Sequence, residues 1–327
     1  MNNTLDLFHP PAEPLSRESW RTEPLAAALA WLHSVQVKGR PYSAATIQKQ
    51  LSIVRRYIAS LHRADTDLLR ARPEEIARFL EGLDHLERET TLTLTRHRYL
   101  RTIVRLHGAV QQAGARPDNP ARALLVQFPA PLTRPLPETL APREEARVID
   151  RLVSAATTPQ TPWRTVRDAA IAAAAIGSGL QPRELIALTL ADVFLDEAPP
   201  FLTVAAHGRR PERVVPVSPA LRPVLAAWLT LRRARGGALD GAVFCSGADA
   251  QPLTVRTVHR ACEHWMGTAN IERTHAGARL LRGTFATRQL RAGKPVPVLR
   301  DWMGLAQDGS AAVYARAIVN PGGVEVA

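Results

Sequence analysis

Lysine is nearly missing from this chain of 327 residues. It occurs only at Lys38, Lys49 and Lys294, so almost all of the 42 basic residues are arginine. Cysteine is scarce too: Cys245 and Cys262 make no disulfide framework, which leaves a cytoplasmic location as the default expectation. Cys262 lies near His259 and His264, but no paired C-x-x-C accompanies it, so no metal site is expected. No uninterrupted apolar stretch reaches the roughly 20 residues of a membrane span; the run Ala169–Gly177 is shorter and reads as a buried helix. The opening MNNTLDLFHPPAEPL has no charged-then-apolar signal pattern.

What is present is positive charge. The net charge is +12, which suits a polyanion such as DNA, RNA or an acidic membrane. Arginine makes two-pronged contacts to phosphate and guanine, which fits nucleic acid best. Codon bias in a GC-rich genome accounts for part of the arginine excess, but not for the net charge.

Residues 1–22 are rich in proline and polar residues and read as a poorly ordered arm. From 23 to about 114 the pattern is helical. Ser43 is placed to cap a helix whose apolar residues Ile47, Leu51, Val54, Ile58 and Leu61 share one face. Lys49 and Arg56 lie away from that face, seven apart and on one side. The next helix, near 89–114, buries Tyr99, Ile103, Leu106 and Val110 and carries His97, Arg101 and Arg105 on another face, with Arg98 beside them. Such rows are either solvated helix faces or two helices laid against phosphates. Residues 127–139 read as a proline-extended linker between a domain at 23–126 and one at 140–318, with a tail at 319–327. Helices are predicted at 142–156, 162–177, 183–190, 218–234, 253–267, 280–292, 295–303 and 309–317. Strands are predicted at 201–206, 213–217 and 242–245, the first two joined through 207–212. The fold class is therefore mainly α with a small antiparallel sheet.

One C-terminal block is more specific. Arg279-Leu280-Leu281-Arg282-Gly283-Thr284-Phe285-Ala286-Thr287 precedes Trp302-Met303-Gly304-Leu305, and Tyr314 follows. This resembles the H-x-x-R-H/G-T-F-A-T box, the following glycine turn and the nucleophilic tyrosine of the tyrosine recombinases (phage integrase family). Upstream, Gly179-Leu180-Gln181-Pro182-Arg183-Glu184-Leu185 with Leu188 and Asp192-Val193 is similar to the G-L-R-x-S-E-L-x-x-L-x-x-x-D-I/V block. Glu212-Arg213-Val214-Val215-Pro216-Val217 is similar to the strand after the family's lysine hairpin. Leu136-Pro137 with Leu140 resembles the opening of its catalytic domain.

The resemblance implies a helical core-binding domain and a recombinase-like catalytic domain that form a C-shaped clamp on duplex DNA. It implies attack by a tyrosine to give a 3′-phosphotyrosyl link, with no metal or nucleotide cofactor. Two arginines and histidine-type residues hold the phosphate, and a lysine protonates the leaving oxygen. It also implies partners: double-stranded DNA, a second copy of the chain on that DNA, and proteins of recombination or transposition.

Position by position, Arg282 and Tyr314 match the family. Gln181 stands where the first arginine is expected, His207 falls on or near the lysine, Arg279 replaces the first histidine and Leu305 the second. Arg183, two residues after Gln181, is not expected to replace it, because positions two apart on a helix face differently. Arg209 and Arg210 can hold phosphate but are poor proton donors. Tyr314 also has an ordinary reading as a packing residue. A tyrosine hydroxyl, with an ordinary pKa of about 10, needs preorganised charge and proton-transfer groups to react. Three functions are therefore in play. The first is a sequence-specific DNA-binding protein that derives from a recombinase, is impaired in cutting and serves a mobile element. The second is an active recombinase with relocated catalytic groups, Arg183 and His207 among them. The third is an RNA- or protein-binding scaffold. The tail segment Val324-Glu325-Val326 is expected to be able to join a neighbour's sheet.

Overall fold

The computed structural model describes residues 16–37, 39–83, 89–129, 133–207, 210–235, 241–247, 251–273, 277–321 and 324–326. The chain divides between Leu132 and Thr133 into two units, each mainly helical, and the strands present are short and antiparallel.

The first unit opens with α1 (Arg17–Thr22) and α2 (Pro24–Ser34). For residues 17–22 this corrects the expectation of a disordered arm; residues 1–15 lie outside the described set. Two things make the short helix. Ser16 and Ser19 cap its first turn reciprocally, and Trp20, only 1% exposed, is anchored in the core. Strands β1 (Gln36–Val37) and β2 (Arg40–Pro41) lead into α3 (Ala44–Arg63). The Ser43 side chain accepts from Thr46 N at 3.3 Å, and the expected apolar stripe is buried, joined by Ile53 and Tyr57. Then come α4 (Pro73–Glu81), α5 (Glu89–Gln112) and α6 (Leu124–Gln127). Tyr99, Ile103, Leu106 and Val110 of α5 meet Val54, Ile58 and Leu61 of α3 in one core, while Ile47 and Leu51 pack with Leu29 and Leu32 of α2.

That core also encloses a polar pair. The imidazole of His107 is fully buried, with Nε2 2.8 Å from the Tyr57 hydroxyl. Burial lowers the His107 pKa from 6.5 to about 3, and Arg116 pushes the same way. A depressed folded-state value means the unfolded chain binds the proton more readily. The stability that neutral His107 contributes is thus complete above 6.5 and is lost as pH falls toward 3. His107→Gln is expected to flatten that part of the acid limb in a series of thermal melts. An unchanged limb would show that other groups set it.

The second unit begins with β3 (Thr133–Pro135) and α7 (Pro142–Thr157) and is organised around α8 (Trp163–Ser178). Residues 169–175 of α8 are six alanines and Ile171, all fully buried. Small side chains on every face let neighbouring helices approach closely. The neighbours are α7 together with α10 (Arg222–Ala234), α11 (Val255–Thr268) and α12 (Ala278–Arg291). Between α8 and α10 run α9 (Pro182–Ala187), β4 (Val193–Phe194), β5 (Phe201–Val204) and β6 (Arg213–Pro216), with the sheet ordered β4-β5-β6. Last come α13 (Val296–Trp302), α14 (Asp308–Val319) and β7 (Val324–Val326).

Several predicted boundaries shift for local reasons. The helix expected at 183–190 stops at Ala187. Leu188 is extended, and Asp192 takes the Thr189 N–H at 2.8 Å and the Thr203 hydroxyl at 2.9 Å, tying the turn to β5. The expected strand 242–245 is instead two isolated bridges, Thr189 to Ala242 and Cys245 to Pro252. The tail strand β7 pairs with β3 of its own chain, Thr133 opposite Val326 and Pro135 opposite Val324.

Candidate active site and nucleic-acid interface

In the first unit, the structure brings most of the predicted basic residues to the junction of α3 and α5. Lys49, Arg56, Arg98, Arg101 and Arg105 are all exposed. Three cross-links join the neighbouring elements along this junction. Arg56 Nη1 donates to the Tyr99 hydroxyl at 3.0 Å, Thr102 donates to Gln50 Oε1 at 2.7 Å, and Arg105 donates to the Tyr42 hydroxyl. Arg98 lies 5.8 Å from the Tyr99 ring centroid and Arg105 lies 5.4 Å from that of Tyr42. Tyrosines thus orient the guanidiniums without neutralising them. Arg101 has no partner among the described residues. His97 is instead turned toward the chain, with Nδ1 3.5 Å from the Phe128 carbonyl.

In the second unit, two glycines with left-handed backbones frame Arg282. Gly179 (φ +64°) ends α8, where a Cβ would collide with the Phe285 ring at 2.4 Å. Gly304 (φ +58°) turns the chain after α13, where a Cβ would come 3.1 Å from Arg213 Cζ. These turns aim two carbonyls at one guanidinium. Arg282 donates to Gly179 O and, at 2.5 Å, to Met303 O. Burial pulls its pKa down to about 10 and Glu184 opposes that, so it stays charged at neutral pH.

Glu184 is the hub of this cluster. Its buried carboxylate lies 3.7 Å from Arg282 Nη1, 2.9 Å from Arg213 Nη2 and 3.5 Å from Arg210 Nη1. It also accepts the Gln181 N–H at 2.8 Å. The short Arg213 approach is an ion pair and not an aligned hydrogen bond, since Nη2 has no hydrogen-bond partner. Arg213 Nε donates to Trp302 O at 2.9 Å, which ties β6 to α13. Sequence reading did not single out Glu184 or Arg213. Strand alternation held a signal for the second: Arg213 shares its side of β6 with buried Val215, an inward-pointing charge.

The other expected positions scatter around this hub. Gln181, Arg183, His207 and Arg210 line one cleft of about 240 Å³, together with Glu184 and Asp192. Gln181 is the extended residue before the helix (φ −79°, ψ 155°) and Pro182 is the first residue in it, and Gln181 and Arg183 both border the cleft. His207 and Arg210 exchange backbone hydrogen bonds at 3.0 and 3.1 Å. Arg209 lies outside the described residues. Arg279 is exposed at the start of α12 and does not line this cleft. Leu305 and Tyr314 are half-buried and pack on the apolar core. The Tyr314 ring passes over Gly283, whose Cβ would come 3.6 Å from Tyr314 Cε1, one residue from Arg282. Among the described residues, nothing in the chain hydrogen-bonds the Tyr314 hydroxyl.

Arg282 is thus held by Glu184 and two turn carbonyls, with the half-buried Tyr314 ring over the neighbouring Gly283. The comparisons name the family. The profile of the phage integrase family matches residues 144–320, and the chain belongs to that family. A tyrosine recombinase XerC of Erythrobacter litoralis is 31% identical over 209 residues, 64% of this chain and 63% of the relative. A tyrosine recombinase XerD of Caulobacter vibrioides is 30% identical over 223 residues, 65% of this chain and 70% of the relative. The chain spans 63% and 52% of the first two curated relatives it matches. Among solved structures, the XerH site-specific recombinase bound to a palindromic difH substrate superposes with a TM-score of 0.64 at 16% identity, covering 84% of this chain and 77% of that one. A lambda integrase dimer bound to a core site gives 0.62 at 15% identity, covering 91% and 94%. At these identities the likeness establishes the fold.

Proposed function

We propose that this protein binds duplex DNA at a specific sequence on behalf of a mobile element, and that strand cutting by Tyr314 is severely impaired. The observation that carries this reading is the contrast between its two surfaces. The α3–α5 junction presents five exposed cations, three of which, Arg56, Arg98 and Arg105, are oriented by tyrosines. Around Tyr314 the framework is intact, yet Leu305 offers no hydrogen bond and Arg279 cannot shuttle a proton. Phosphate contacts spread over many side chains support binding even when a reacting group is lost. Loss of one transition-state donor typically costs about 10²–10³ in rate.

A second reading, an active recombinase, is favoured by the Tyr314 ring over Gly283 beside Arg282 and by the relatives named as tyrosine recombinases. A suicide duplex, nicked so that cleavage cannot reverse, separates the two. The first reading expects at most trace covalent adduct. Abundant adduct that Tyr314→Phe abolishes would establish the second. Arg101→Ala is expected to weaken duplex binding and to reduce its salt slope by about one phosphate contact. An unchanged slope would remove α5 from the interface.

A further inference from the structure

We infer that Arg210, on the hairpin, supplies the phosphate-binding charge that position 181 lacks, so that a backbone phosphate of duplex DNA seats in the cleft between the hairpin and α9. This deepens the proposed DNA-binding function and rests on it.

Three guanidiniums, those of Arg210, Arg213 and Arg282, converge on the single carboxylate of Glu184. The side chains of Arg213 and Arg282 are 7% and 9% exposed and are committed to carbonyls of the chain. Arg210 differs. Its side chain is 35% exposed, and at 3.5 Å its hold on Glu184 is loose. Among the described residues its guanidinium makes no other hydrogen bond or ion pair, which leaves donors for an anion. The other charges on the cleft are also placed. Asp192 is already occupied by Thr189 and Thr203, while Arg183 is exposed at the rim beside His207. Arg183 and Arg210 line the cleft with Glu184 and Asp192, and Arg213 and Arg282, which pair with Glu184 without lining it, bring the total to four positive charges against two negative.

The backbone explains why Arg210 reaches the cleft. The paired backbone hydrogen bonds between His207 and Arg210 hold these two residues side by side. Both border the same space as the Gln181 side chain. A guanidinium entering from the hairpin and one entering from position 181 would compete for one carboxylate and one phosphate. The sequence carries only the first. Gln181 retains an amide that can donate to a phosphate oxygen without adding charge.

The test is a relocation experiment on the full chain, with a short duplex recovered from a random pool by selection on the wild-type protein. Arg210→Ala is expected to weaken binding on the order of tenfold at low salt and to lower the salt slope by about one phosphate. Adding Gln181→Arg to that variant is expected to restore both, whereas Gln181→Arg alone adds little. A merely structural Arg210 would change the melting temperature and leave the slope as it was. The inference is overturned if wild type binds the duplex and Arg210→Ala keeps its slope, or if Gln181→Arg gives no rescue in a variant that still folds. If wild type selects no duplex at all, the DNA-binding function fails first and takes this inference with it.

Discussion

Putting histidine at positions 279 and 305 together is expected to raise covalent trapping of a nicked duplex by at least about 10² over the parent chain. Each substitution restores a hydrogen-bond donor that can also move a proton, near a phenol that has none from the chain among the described residues. The two gains will not multiply, because groups that act on one transition state are not independent. A substrate with sulfur in place of the leaving 5′ oxygen sharpens the result. A thiolate departs without protonation, so it bypasses the missing lysine and reports the attack step alone. The framework favours success, since Arg282 is already fixed by Gly179 O, Met303 O and Glu184. Equal trapping by parent and double variant would mean that residues 279 and 305 are not what limits this chain.

Glu184→Ala is expected to be the most damaging single change to stability in the second unit. It would leave Arg213 and Arg282, both nearly inaccessible, facing each other with no carboxylate between them. Removing one partner of a buried ion pair costs about 3–5 kcal/mol. For a unit of this size that is a fall in melting temperature of roughly 10 °C. Glu184→Gln keeps the shape and removes only the charge, so it should fall in the same direction by less. Arg210→Ala, which removes the loosely held member, should barely move the transition. A Glu184→Ala protein that melts with the parent would show that the arginines are satisfied by carbonyls alone.

Much of this architecture was legible in the residues. The stripe Ile47, Leu51, Val54, Ile58 and Leu61 records one face of a helix, and that face is buried. The run around Arg282 reports the recombinase class through types and intervals that survive substitution. What escaped depends on distant partners. Helix α1 is short and follows a proline-rich stretch, and beyond its Ser16–Ser19 cap it depends on the distant pocket that receives Trp20. Glu184 looks like an ordinary helical acid until Arg210, Arg213 and Arg282 arrive from 26, 29 and 98 positions away. Segment 242–245 has a strand-like composition but finds only single bridging partners. Gln181 and Arg183 border one cleft because Gln181 is extended and the helix starts only at Pro182, a backbone detail that residue spacing does not report.

The pairing of β3 with β7 has a practical corollary for anyone handling the protein. The first and last strands of the second unit lie side by side, Thr133 against Val326. Any label fused after Val326 therefore emerges next to the segment that introduces this unit, and a dye there would sense events at residue 133. Trimming the final strand would strip a row of backbone bonds from that segment and leave its edge bare, so chains shortened at the C-terminus would differ from the parent at both ends of the unit.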